Sequence, residues 1–151
     1  MSADDDLYSG FARRLASDEE ARAAMPPVSL EDPVAVGMMF VNGLEAAEEL
    51  RDALEFLVTP ESREAWGDFS EAQAGLRSIE NVGYSNIAEA AVGDPDVRYF
   101  KIHRGVVQNF ESLDDQVVAL AAVLTLVWRP EYGRWMVHQL GDYARPEDVP
   151  R

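Results

Sequence analysis

The sequence predicts an α+β domain in which helices come first and an antiparallel meander follows. Three observations carry this. Apolar residues recur at helical spacing over residues 33–77 and at alternating, strand-like spacing from residue 84 onward. The later segments are joined by turn sequences such as Gly93-Asp94-Pro95-Asp96, with no helix between consecutive strands. Helices grouped before strands indicate a layered α+β fold, whereas βαβ units would alternate. A chain of 151 residues, 47% apolar, suits one hydrophobic core. The expected division is an acidic N-terminal extension over 1–30, a single domain over 31–145 and a tail over 146–151.

Within the extension, Leu7, Phe11 and Leu15 form one apolar stripe behind the acidic run Asp4–Asp6, and Met25-Pro26-Pro27 ends it. The segment reads as either a short helix or a disordered arm. Asp32-Pro33 places an N-cap before a proline at the first helical position. Val36, Met39, Phe40, Gly43 and Leu44 then share a face. A second helix turns Leu50, Ala53, Leu54 and Leu57 inward, and Thr59-Pro60 opens a third that runs through Trp66. Gly67-Asp68 interrupts it, and Asp68 with Glu71 has capping-box spacing for a further helix to about Arg77.

Strands are expected over 84–92, 97–104, 117–128 and 134–141, all rich in β-branched and aromatic residues. The last two form a hairpin, and Gly133 supplies the positive φ that a tight loop needs. Residues 105–116 exceed the needs of a tight turn, so they extend the strands or fold over a pocket or partner.

Composition excludes several chemistries. The chain has no cysteine, hence no disulfide, thiolate metal site or cysteine nucleophile. Twenty-eight acidic against 13 basic residues give a net charge of −15, which disfavours a nucleic-acid backbone as partner. The excess concentrates early: residues 1–32 hold eight acids and three bases, 33–80 ten and three, 81–151 ten and seven. The longest apolar stretch, residues 117–128, is too short to span a bilayer, and the first residues are acidic where a leader would be basic. The expected setting is cytoplasmic, with no membrane. No phosphate loop, nucleophile elbow, helical His pair or calcium loop occurs, so neither metal nor cofactor is expected.

The closing segment from Leu124 to His138, with Gly133-Arg134-Trp135 in a Gly-x-Trp arrangement, resembles the final strand pair of the nuclear transport factor 2-like (cystatin-like) superfamily. The element order over about 33–143 is similar too. The resemblance implies helices packed in the concave face of a curved antiparallel sheet, giving a cone with an apolar interior. That superfamily holds enzymes, adaptors and many members with no known activity, and the chain matches none of its catalytic patterns residue by residue. Function must therefore be read from the site.

A three-residue hairpin loop, 131–133, would set Leu126 opposite His138 and turn His138 with Met136 and Leu140 toward the helices. His138 is then the candidate general base, and Asp142 a candidate carboxylate at the rim. The alternative for His138 is a core histidine satisfied by one hydrogen bond. His103, beside Arg104, reads as a surface residue. Candidate pocket residues are Phe40, Trp66, Phe69, Tyr84, Tyr99, Leu126, Trp128 and His138, although aromatics at such positions are more often ordinary core. The opposite face of the third strand shows Val117, Ala119, Ala121, Val123, Thr125 and Val127, extended by Trp135 and Val137. A face this apolar predicts a homodimer or a covering segment of the same chain.

Three readings stay open: a binding or assembly module with an apolar pocket, a small ligand and a sheet-face dimer; a lyase or isomerase working by proton transfer; and an acidic adaptor for a basic protein.

Overall fold

Four helices precede four strands in the computed structural model, which describes residues 29–107 and 116–151. The stripe Leu7, Phe11 and Leu15 and the linker residues 108–115 lie outside the described residues. The helices are α1 (Pro33–Leu44), α2 (Arg51–Leu57), α3 (Arg63–Trp66) and α4 (Ser70–Arg77). The strands are β1 (Val82–Ala91), β2 (Asp94–Val107), β3 (Gln116–Arg129) and β4 (Arg134–Gly141). They form one open antiparallel sheet in the order β1-β2-β3-β4. β2 runs to Val107 and β3 starts at Gln116, so residues 105–107 and 116 of the long connection extend the strands.

Local chemistry explains the boundaries. The Asp32 carboxylate accepts a hydrogen bond from the Val34 amide at 3.0 Å, with Pro33 opening α1 as expected. Asp68 also caps, but one residue further out than a capping box. Its carboxylate accepts from the Ser70 amide and hydroxyl, and α4 begins at Ser70. The intervening Phe69 takes φ 66°, costly for a side-chain-bearing residue, and complete burial between Phe40 and Trp66 holds it there. β1 and β2 meet through Val92-Gly93, where Gly93 has φ 76°. The turn is thus shorter than expected, and Asp94 already pairs with Ala91.

The helices cover one face of the sheet. Val36, Phe40, Leu44, Leu54 and Phe69 pack against Phe100, Ile102, Leu124 and Leu126. Gly37 permits this closeness, since a Cβ there would stand 2.9 Å from the Phe100 ring. The other face has its own small core of Ala91, Val97 and Val127, and Ala144 and Val149 of the C-terminal segment close it. Residues 146–151 are therefore not a free tail: Val149 is buried and Arg151 pairs with Asp94. At the other end, the Leu30 and Glu31 carbonyls accept from the Trp135 amide and indole.

The β3–β4 hairpin differs from the expected register. Its loop has four residues, 130–133, so Trp128 pairs with Trp135 and Leu126 with Val137. Pro130 lacks the amide hydrogen a strand position would use, which favours placing it in the loop. A second irregularity then inserts His138 as an extra residue, after which Thr125 pairs with Gln139 and Leu124 with Leu140. The two shifts cancel beyond the bulge.

Candidate functional site

A cleft opens where α3 and α4 lean on the far end of β3 and β4. Its larger part, about 440 Å³, is lined by Trp66, Ala72, Leu76, Ile79, Ala122 and Leu140, with Glu71 and Ser78 as polar neighbours. A second recess of about 280 Å³ shares Ala65, Trp66 and Leu140 with it and adds Glu61, Ser62, His138 and Gln139. The cleft is open-sided, flanking a filled interior.

Sequence and topology build the His138 end. After α2, Val58 lies parallel to β4 in a single bridge with Val137, and the Thr59 amide donates to the Val137 carbonyl at 2.9 Å. Pro60 then starts a 3-10 turn over Pro60–Ser62 that leads into α3. Thr59 stands at the cap position, but its hydroxyl makes no capping bond. The bulge aims His138 at that hydroxyl, with Nδ1 at 3.2 Å from Thr59 Oγ1. Thr59 Oγ1 is 2.8 Å from Ser62 Oγ, Ser62 Oγ is 3.0 Å from the Thr59 carbonyl, and the Trp66 indole donates to Ser62 Oγ at 2.9 Å. Four residues spanning the turn, α3 and β4 thereby hold one another.

Electrostatics around His138 are asymmetric. Burial pushes its imidazole below the ordinary value, the Glu61 charge opposes that, and the Arg129 charge adds to it. Glu61 is itself held by Arg129, whose guanidinium reaches both carboxylate oxygens, at 2.8 and 3.1 Å. That hydrogen bond lowers the Glu61 pKa and raises that of Arg129. Arg129 is nearly buried and also bonds Glu131.

Of the residues expected to line a pocket, Trp66 and His138 border the cleft. Phe40, Phe69 and Leu126 are fully buried and fill the space between helices and sheet. Tyr84 stacks on Phe100, and Trp128 packs edge-on against Trp135. Tyr99 lies on the opposite face, its hydroxyl donating to the Ala144 carbonyl at 2.8 Å. Asp142 is exposed, and among the described residues only its backbone carbonyl is engaged, by Gln139. His103 is within 3.1 Å of Ser85 Oγ.

Of the face read as a dimer surface, Val123, Thr125 and Val127 are buried within the single chain. The Thr125 hydroxyl accepts from the Ala144 amide at 3.3 Å. The longer hairpin loop turns Trp135 and Val137 to the helix side, where both join the main core, and Met136 takes the outer position beside Val127. Ala119 is half-buried and Ala121 exposed, and Val117 is placed in β3 by its pairing with Val106.

Sequence reasoning missed Thr59, Ser62 and Glu61 as site residues. Thr59-Pro60 carried a signal, but the signal was legible only as a helix start. Among the described residues no cluster of three or more His, Asp or Glu could hold a metal ion, and no helix is long and apolar enough to cross a membrane. No family model, no curated protein and no solved structure matches the chain.

Proposed function

We propose that the chain is a binding module, in the manner of the nuclear transport factor 2-like proteins it resembles, and that the cleft beside α3 and α4 takes one small apolar ligand. The observation that carries this is the lining. About 440 Å³ bordered by Trp66, Ala72, Leu76, Ile79, Ala122 and Leu140 suits a compact, flat molecule, and Glu71 and Ser78 give it a polar margin. An acid–base enzyme is less well supported. The group in reach of His138 Nδ1 is the Thr59 hydroxyl, and the Asp142 side chain makes no hydrogen bond to the ring.

Thermal unfolding in the presence of a panel of small aromatic compounds tests the reading. Members of the panel should raise the midpoint in proportion to ligand concentration, as expected when only the folded state binds. Ala72→Phe, which places a ring in the cleft, should abolish the effect without lowering the unliganded midpoint. A panel without effect, or full binding by the variant, would contradict the reading.

A further inference from the structure

The hydrogens at the His138 end of the cleft can be assigned by counting donors. Ser62 Oγ has one hydrogen and three polar neighbours: the Thr59 carbonyl, Thr59 Oγ1 and the Trp66 indole. The indole can only donate and the carbonyl can only accept, so the 3.0 Å contact with the carbonyl is attractive only if Ser62 gives its hydrogen there, beside the Ser62 amide that the same carbonyl accepts at 3.1 Å. The contact between the two hydroxyls is attractive only if Thr59 supplies its own hydrogen to Ser62. Thr59 Oγ1 then has nothing to give His138, and the 3.2 Å contact with Nδ1 is a bond only if Nδ1 donates. Any other assignment sets two oxygens face to face without a hydrogen between them, at 2.8 or 3.0 Å, or leaves Nδ1 against a lone pair.

The second ring nitrogen follows. Nε2 has no hydrogen-bond partner among the described residues, and it is not among their enclosed, unsatisfied atoms. It belongs to a residue that borders the smaller recess of the cleft with Trp66 and Leu140.

We propose that Thr59 is a positioning residue that fixes His138 as its Nδ1–H tautomer, so that Nε2 meets the ligand as a hydrogen-bond acceptor. The ligand class is a flat apolar molecule carrying one hydroxyl or N–H donor, its ring against Trp66 and Leu140 and its donor on Nε2. The inference rests on the reading of the cleft as a ligand site and adds what the ligand must carry. The charged groups facing the imidazole are Glu61, from the 3-10 turn, and Arg129, from β3; α3 presents the neutral Ala65 and Trp66. Protonation of Nε2 at acid pH removes the acceptor, and preference for a donor-bearing ligand disappears with it.

The test is an NMR titration of the full chain with phenol and with anisole, its methyl ether, which keeps the ring and lacks the donor. Long-range proton–nitrogen correlations in the imidazole report which nitrogen is protonated. The wild type should show Nδ1–H and bind phenol several-fold tighter than anisole, up to about tenfold for one neutral hydrogen bond. Thr59→Val should mix the tautomers and bring the two affinities together. Thr59→Ser should restore both the tautomer and the preference. Should Thr59→Val fail to fold, the wild-type tautomer and the Thr59→Ser chain still decide the matter. An Nε2–H tautomer in the wild type, or anisole bound as tightly as phenol, overturns the inference and leaves the ligand site standing. Binding of neither probe removes both.

Discussion

The Tyr99 hydroxyl donates to the Ala144 carbonyl across 2.8 Å, tying the outer face of β2 to the C-terminal segment. Tyr99 also meets the Tyr143 ring edge-on, with centroids 4.8 Å apart. The segment thereby covers Val97 and Val127, apolar positions that a bare sheet would show to water. Tyr99→Phe should cost about 0.5–1.5 kcal/mol, the net value of one hydrogen bond. Deleting residues 142–151 should produce stronger concentration-dependent association in light scattering than the full chain shows. A monomeric truncated chain would show that the segment does not protect this face.

Two glycines of α1 should respond differently to alanine. At Gly37 the new methyl meets Phe100 ring atoms at 2.9, 3.1 and 3.2 Å, and that ring is locked between helix and sheet. Overpacking of this kind costs about 1–3 kcal/mol. At Gly43 the close atom is the Leu54 Cδ2 methyl, the far end of an aliphatic side chain, which yields more readily than a ring. Helix propensity there returns up to about 1 kcal/mol. Denaturant midpoints should therefore fall clearly for Gly37→Ala and little for Gly43→Ala.

Arg129 is 5% exposed and bonded to two carboxylates, whereas the Glu61 side chain is 40% exposed. Replacing Glu61 by Gln leaves Arg129 with Glu131 as its one carboxylate partner among the described residues, so the loss should be about 1–2 kcal/mol, below that for a fully unpaired buried charge. The same change removes a charge that favours the imidazolium, and the His138 pKa should fall further. Chemical denaturation and an NMR pH titration of the ring measure the two effects.

Burial holds His138 below its reference pKa of 6.5, so folding disfavours the protonated ring. The corresponding stability is fully present above pH 6.5 and is lost as pH falls through the folded-state pKa. His138→Gln, which keeps a partner for Thr59, should remove that loss. The wild-type and variant stability curves should therefore converge or cross on the acid side. Parallel curves down to pH 5 or so would contradict the burial assigned to the ring.

Much of this architecture is legible in the sequence because local chemistry decides it. Asp32-Pro33 starts a helix wherever it stands before an apolar stripe, and Gly93 turns the chain between two strand-like segments. What escapes is decided by distant partners. One extra loop residue at Pro130 reverses the facing of Trp135, Met136 and Val137, because strand side chains alternate with period two. The bulge at His138 coincides with Thr59 bonding Val137, a contact between residues 78 positions apart in sequence (137 minus 59). Residues 142–151 lack apolar periodicity, so their docking on Val97 and Val127 has no local signal. His138 reaches Thr59 by way of the bulge and not by simple alternation.

The most direct test of the ligand site is a crystal structure of the chain grown with a small hydroxylated aromatic compound. Electron density for one ring between Trp66 and Leu140, with its oxygen within hydrogen-bonding distance of His138 Nε2, is the expected result. An empty cleft at saturating concentration, or the compound ordered only at another surface, would contradict the account.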